Sequence, residues 1–236
     1  MSRESGQSFH LAFVLHSRPY RETSLLLEIF TKERGRLSLL AKGARTPKSS
    51  RRALLQPFTP IHVSWYGRHE LLNLAKVEVN DPPLFLSHQH LLCGLYVNEL
   101  LMHLLPRFDS NEHLFDCYYV TLQQLASLAD LNTTLRFFEL ALLRELGYET
   151  PFLYEANSHQ SIQDHQHYLY LPGKGLFPID SRQHGRKAVF FGRDINHFIQ
   201  GKMTTPEEHK TARQLMRLSL HHLLGGKVIK SRELFL

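Results

Sequence analysis

Over the first eighty residues, apolar positions come in short bursts separated by turn formers. After Asp81-Pro82-Pro83 they recur at spacings of three and four instead. The early bursts are Phe9–Leu15, Ser24–Thr31, Arg36–Ala41, Ile61–Tyr66 and Leu71–Val79, with β-branched and aromatic content and partial alternation in Lys76-Val77-Glu78-Val79. Arg18-Pro19, Lys32 to Gly35, Thr46-Pro47, Pro57 to Pro60 and Gly67 punctuate them as turns. Five strands at this spacing predict a small antiparallel barrel or sandwich. At this length an OB barrel is the natural candidate, although periodicity alone does not separate it from an SH3-like one.

Beyond the Pro-Pro boundary the pattern predicts helices over Leu84–Leu105, Glu112–Ala129 and Leu135–Leu146. The third has cap candidates at Asn132 to Thr134 and Gly147 just past its end. Residues 148–190 are less regular, but Tyr168–Leu171, Pro172-Gly173-Lys174-Gly175 and Leu176–Ile179 read as a hairpin. Thr205-Pro206-Glu207-Glu208 opens a further helix, with Thr as N-cap, Pro in the first turn and Glu208 completing a capping box. The expected class is α+β. It pairs a five-stranded OB barrel over 1–80 with a mainly helical domain over 81–236, which carries an irregular hairpin insertion at 148–190.

Composition narrows the function classes. No apolar run approaches the roughly 20 residues of a membrane span, and Met1 to Gln7 lacks the apolar core of a signal peptide. Cys93 and Cys117 are the only cysteines, so no disulfide framework is implied. The expected compartment is the cytoplasm. The net charge of +6 is unevenly placed: residues 1–80 hold 13 Lys/Arg against 6 Asp/Glu, whereas the rest hold 15 against 16. A localised basic field concentrates polyanions, nucleic acid above all.

The densest part of that field is Ala41 to Arg52, where Lys42, Arg45, Lys48, Arg51 and Arg52 occur without an acid. Small residues let the backbone approach phosphates, and the cations release condensed counterions. Lys32, Arg34, Arg36 and Arg68 sit on neighbouring strand ends or turns and complete the DNA-binding set. Trp65, Tyr66, Tyr20 and Phe58 are possible base-stacking residues, but each is also a candidate for the barrel core, and the charges carry the reading. The cluster His159, Asp164, His165 and His167 lacks the converging spacing of a zinc site, so no metal or other cofactor is expected. The nucleophile elbow, phosphate loop and dinucleotide fingerprint are absent, which argues against an enzyme. On the helix after Thr205, His209, Arg213 and Arg217 form a basic stripe at four-residue spacing beside Leu215, Met216 and Leu220.

Several segments together resemble the RecO family of bacterial recombination mediators. Ala12-Phe13-Val14-Leu15-His16-Ser17-Arg18-Pro19 with Glu22-Thr23-Ser24-Leu25 is similar to its first two strands. Ala41-Lys42-Gly43-Ala44-Arg45 and Leu55-Gln56-Pro57-Phe58-Thr59-Pro60 resemble the segments that follow. Tyr96 to Leu101, Phe138 to Leu143 and Leu146-Gly147-Tyr148 look like its helical core. Gly225-Gly226-Lys227 and Lys230-Ser231-Arg232-Glu233-Leu234-Phe235 look like its ending.

The resemblance implies an OB barrel and a helical domain, binding of single- and double-stranded DNA, and annealing of complementary strands. It also implies cooperation with RecR to load RecA onto DNA coated by single-stranded DNA-binding protein, in a nucleoid-associated, cytoplasmic setting. The acidic tail of that coating protein is expected on the helical domain, at Arg136, Arg213 and Arg217 with its apolar end beside Leu215, Met216 or Leu220. Glu139 is the competing partner for Arg136. The four-cysteine zinc site of many family members has no counterpart in Tyr148–Ile179, which contains no cysteine. The alternative is a protein–protein adaptor whose helical domain captures a partner and whose barrel binds DNA weakly.

Overall fold

The computed structural model describes residues 8–68, 70–148, 152–180 and 188–231. Its N-terminal part is a closed barrel of β1 (His10–Tyr20), β2 (Ser24–Thr31), β3 (Gly35–Ala41), β4 (Ile61–Tyr66) and β5 (Leu71–Val79), with the four-residue helix α1 (Arg51–Leu54) before β4. The strand order is β1-β2-β3-β5-β4, antiparallel throughout except for the parallel pair β3–β5. That order is the OB topology and excludes the SH3-like alternative. Period-two alternation builds the interior: Leu25, Leu27 and Ile29 of β2 point inward with Val14, Leu37, Leu39, Ile61 and Val63.

One strand boundary differs from the sequence expectation. β1 does not stop near Leu15 for a turn at Arg18-Pro19. It continues to Tyr20, with Pro19 opposite Leu25. Only His10 to Ala12 pair with β4, so the second half of β1 has a partner on one side alone. An edge position tolerates a residue with no N–H to donate.

The outward residues of β1 and β2 include Phe13 and Phe30, yet both are fully buried. They are covered by α2 (His88–Leu104) and α3 (Glu112–Ala126), whose Phe115, Tyr118 and Tyr119 pack on Phe13 with ring centroids 5.1–5.8 Å away. Phe30 meets Phe115 at 5.2 Å. The Asn98 side-chain amide donates to the Leu15 carbonyl (3.0 Å) and accepts from the Tyr118 hydroxyl (2.7 Å), so the contact is also satisfied in its polar groups. α2 begins four residues later than its apolar pattern suggests, because the Leu84 N–H after the two prolines donates to the Phe58 carbonyl.

By internal contacts the chain divides into two compact units. One runs to Ala129 and includes the chain again from Ile229; the other is Asp130–Val228. In the first, the backbone N–H groups of Lys230 and Ser231 each donate to the Glu99 carboxylate of α2 at 2.8 Å. The remaining residues of the ending, Arg232 to Phe235, lie outside the described residues.

The second unit holds α4 (Leu131–Glu145), a sheet of β6 (His167–Leu171), β7 (Gly175–Ile179) and β8 (Val189–Phe191) in the order β7-β6-β8, then α5 (Gly192–Ile199) and α6 (Pro206–Leu223). The hairpin is β6–β7. α4 starts earlier than expected and is capped by Asp130, which accepts from Thr133 N–H (2.8 Å), not by Asn132 to Thr134. The capping box on α6 is present: Thr205 accepts from Glu208 N–H, and the Glu208 carboxylate accepts from Thr205 N–H at 2.9 Å.

Candidate nucleic-acid interface

Strand register sorts the nine basic candidates onto two ends of the barrel. β1, β2 and β3 run up, down and up, and β5 runs parallel to β3. The β2–β3 turn with Lys32 and Arg34, and the β4–β5 turn with Arg68, therefore lie at the lower end. The β1–β2 turn and the β3–β4 connection carrying Lys42 to Arg52 lie at the upper end.

Two cations towards the lower end are already engaged. The Lys32 ammonium donates to both carboxylate oxygens of Asp116 on α3 at 2.8 and 2.9 Å, and this bond holds its pKa above the ordinary lysine value. Arg36 donates to Glu28 (3.2 Å) and to the Leu105 carbonyl (3.1 Å), and its burial lowers its pKa while Glu28 opposes the shift. Glu28 also accepts from Ser38 (2.5 Å) and Arg107 (2.9 Å), so both carboxylate oxygens are engaged within this cluster. Arg34 and Arg68 are exposed.

The upper end differs. Lys42, Lys48 and Arg52 are exposed; Arg45 and Arg51 are half-buried. The start of the connection is a folded corner. Gly43 sits at φ +70°, in the left-handed region that glycine enters without strain, and its carbonyl accepts from both the N–H and the hydroxyl of Thr46. Arg45 N–H donates to the Thr23 carbonyl (2.8 Å), and its guanidinium to the Arg21 carbonyl (3.2 Å). The connection is thus latched onto the β1–β2 turn. α1 then lies along β5, with Arg51 reaching the Ala75 carbonyl at 3.5 Å.

This latch brings in two cations the sequence reading passed over, Arg18 and Arg21, both exposed at the same end. Their signal is weak in one dimension, because Glu22 sits beside them and the apolar run of the first strand ends at Leu15. Of the aromatic candidates, Phe58 is buried and Trp65 packs against the barrel core and His10. Tyr66 is exposed, and Tyr20 is half-buried beneath the Arg21 guanidinium, 5.4 Å from the ring centroid.

In the second unit, Arg136 is buried and donates to Glu139 at 2.7 Å, the intrahelical partner weighed from sequence. Arg213 is exposed and donates to Asn132 of α4 (3.0 Å); Arg217 is exposed one turn further on. Leu215, Met216 and Leu220 are fully buried. They form the packed side of α6, so they do not line an open groove beside the arginines.

Among the described residues no three His, Cys, Asp or Glu side chains converge as a metal site. Asp164 accepts from Asn196, and His167 stacks on Phe191. Among the described residues, too, no helix is long and apolar enough to cross a membrane.

The strand order and the helical part that follows define an OB-barrel protein with a C-terminal helical region. The description "Recombination protein O N terminal" matches residues 10–83, and "Recombination protein O C terminal" matches residues 88–233. The chain is 43% identical over 225 residues to the DNA repair protein RecO of Methylococcus capsulatus, covering 95% of this chain and 91% of that protein. It is 39% identical over 229 residues to that of Actinobacillus succinogenes (97% and 95%) and 40% over 224 residues to that of Coxiella burnetii (94% and 95%). The chain belongs to the Recombination protein O family, and its role is in DNA repair and recombination.

Proposed function

We propose that this chain is a non-catalytic recombination mediator that binds single- and double-stranded DNA through its barrel. In this reading it anneals complementary strands and, together with RecR, helps load RecA onto DNA coated by single-stranded DNA-binding protein. The observation that carries the DNA-binding part is the acid-free cationic connection Lys42 to Arg52, latched to the β1–β2 turn by Arg45. Lys42, Arg45, Lys48, Arg51 and Arg52 contact phosphates, with Arg34 and Arg68 adding to the field from the other end. Lys32 and Arg36 contribute less, since each already has a carboxylate.

The barrel over residues 1–80 is the nucleic-acid-binding domain, and residues 81–236 serve protein partners. The exposed Arg213 and Arg217 hold the acidic tail of single-stranded DNA-binding protein by charge, and Arg136 contributes less, since it is buried and already has Glu139. Its apolar end docks elsewhere than on the buried Leu215, Met216 and Leu220.

A salt titration tests the reading. Log affinity falls with log salt in proportion to the phosphates neutralised, with a slope of about −0.7 per phosphate on single strands and about −0.9 on duplex. Replacing Arg51 and Arg52 by Ala is expected to flatten the slope by about 1.4 and about 1.8 respectively, similarly for all sequences. Unchanged slopes in folded protein overturn the assignment. The adaptor alternative draws support from the covering of the β1–β2 outer face by α2 and α3, and DNA affinity measured with no partner present separates the two.

A further inference from the structure

A buried carboxylate in the second unit has two hydroxyl donors and no cation, and it lines an open cavity. The residue is Glu155, which is only 8% exposed. Its oxygens accept from the Tyr168 hydroxyl (3.0 Å) and from the Ser158 hydroxyl. The Gln163 N–H donates to the Tyr168 oxygen at 2.9 Å, which leaves the Tyr168 hydrogen for Glu155. Each carboxylate oxygen keeps a second lone pair. Among the described residues no Lys, Arg or His is paired with this carboxylate. A buried charge without a counter-charge is costly, because hydroxyl donors offset only part of the lost hydration.

The cavity measures about 340 Å³, room for a long side chain or a small molecule. It lies within the second unit, bordered by the C-terminal ends of α4 and α6, the β6–β7 turn and the segment that carries Glu155. Three tyrosines line it. Tyr170 is buried and backed by Phe152, with ring centroids 5.7 Å apart, whereas Tyr148 and Tyr154 are exposed. The walls are held by the fold itself. Ala156 N–H donates to the Leu176 carbonyl of β7 (2.8 Å), and Glu155 N–H donates to the Gln160 carbonyl (2.8 Å). His159 N–H returns to the Glu155 carbonyl (3.0 Å), with His159 at φ +56°, a left-handed state costly for a residue with a Cβ. Across the cavity, Gly173 comes so close to His222 that a Cβ there would stand 2.7 Å from Nε2.

Charge decides what such a cavity suits. Helix C-termini carry partial negative charge, and two of them border it beside Glu155. Among the described lining residues the only Lys or Arg is Lys174, which is exposed on the hairpin turn and screened by solvent. Tyrosine faces attract cations as well. A guanidinium fits this set best, since it is planar and weakly hydrated, stacks on rings and forks onto a carboxylate.

We propose that this cavity receives an arginine side chain of a partner polypeptide. The guanidinium pairs with Glu155 and stacks on the tyrosines, and the aliphatic stem lies along Leu143 and Leu223. The exposed rings of Tyr148 and Tyr154 offer surface to the residues on either side of that arginine. The proposal goes beyond the DNA and acidic-tail readings and rests on neither: it calls for a basic segment, where Arg213 and Arg217 call for an acidic one.

The test is an NMR titration of the isotope-labelled full chain with acetyl-Gly-Arg-Gly-amide, with its lysine counterpart acetyl-Gly-Lys-Gly-amide, and with free ethylguanidinium. The arginine peptide is expected to bind with a Kd of about 1 mM or tighter, and the other two at least about threefold more weakly. Glu155→Gln should weaken the arginine peptide about tenfold or more, and Tyr154→Leu, at an exposed position, about threefold, with circular dichroism confirming that both are folded. Wild-type affinity in folded Glu155→Gln overturns the proposal. Equal affinity for the lysine peptide overturns the guanidinium assignment, and ethylguanidinium binding as tightly as the arginine peptide overturns the polypeptide partner. Binding by Lys174→Ala but not by wild type means that the chain's own lysine fills the cavity, which also overturns the proposal. Each of these outcomes leaves the salt-slope test of DNA binding standing.

Discussion

The lower and upper parts of the barrel's outer face are built from the same strands and both carry cations, yet they have opposite fates. Below, Lys32 and Arg36 are spent on Asp116, Glu28 and a carbonyl, and Phe13 and Phe30 are buried under α3. Above, Lys42, Lys48, Arg52, Arg18 and Arg21 face solvent, and the connection from Lys42 to Arg52 holds no acid. A cation's availability depends on what the rest of the chain brings to it. The helices turn one half of a ligand-type surface into core and leave the other half for use.

The largest expected effect lies on the covered half. Phe30→Ala removes a fully buried ring that contacts Phe115 and Tyr118, and should cost about 3–5 kcal/mol of stability by chemical denaturation. The salt slope for DNA at a temperature where the variant is folded should not change. A stability loss within about 0.5 kcal/mol would mean that the helices do not pack on this face as described.

A smaller effect, in the second unit, separates folding stability from the barrel's charge. Backbone N–H groups of Thr204 and Thr205, with His197, lower the Glu208 pKa to about 2 from an ordinary 4.5. A carboxylate whose pKa is depressed by folding stabilises the fold at pH above its unfolded value. That contribution is lost as pH falls from about 4.5 towards 2. Glu208→Gln should flatten the acid limb of stability against pH over that window, and Thr205→Ala should cost about 0.5–2 kcal/mol at neutral pH. Neither should alter the salt dependence of DNA binding, so a change there would make the upper-end cations a poor account of it.

The smallest effect is the most discriminating. Lys42→Ala should flatten the single-strand slope by about 0.7, and Lys32→Ala by nothing measurable, because the Lys32 ammonium already has Asp116. Equal slopes for the two variants would erase the distinction between the halves.

Local chemistry was legible in the sequence wherever it acts locally. Alternation showed the five strands, Pro-Gly-Lys-Gly the β6–β7 hairpin, and Thr-Pro-Glu-Glu the start of α6. Misplaced boundaries had close competitors. Asp130 and Asn132 to Thr134 all offer caps within five residues, and Pro19 resembles a turn until β1 is seen to have an open edge. β8 has three residues, and α5 starts with no side-chain cap, so neither leaves a pattern to read. The cationic connection was legible because its charges are contiguous. The pairing of Lys32 was not, since Asp116 lies 84 residues away, nor was the burial of Leu215, Met216 and Leu220, which depends on which side of α6 is packed.

The Glu99 carboxylate that receives the N–H groups of Lys230 and Ser231 has a consequence for the order of events at the ribosome. The first unit is not finished when its barrel and two helices have been made. Two of its hydrogen bonds come from residues translated after the whole of Asp130–Val228. At about 5–20 residues per second, Glu99 waits on the order of 5–20 s longer for its partners than it would in an uninterrupted domain. During that interval the Glu99 carboxylate, in the C-terminal half of α2, is without the two backbone donors that it has in the finished fold.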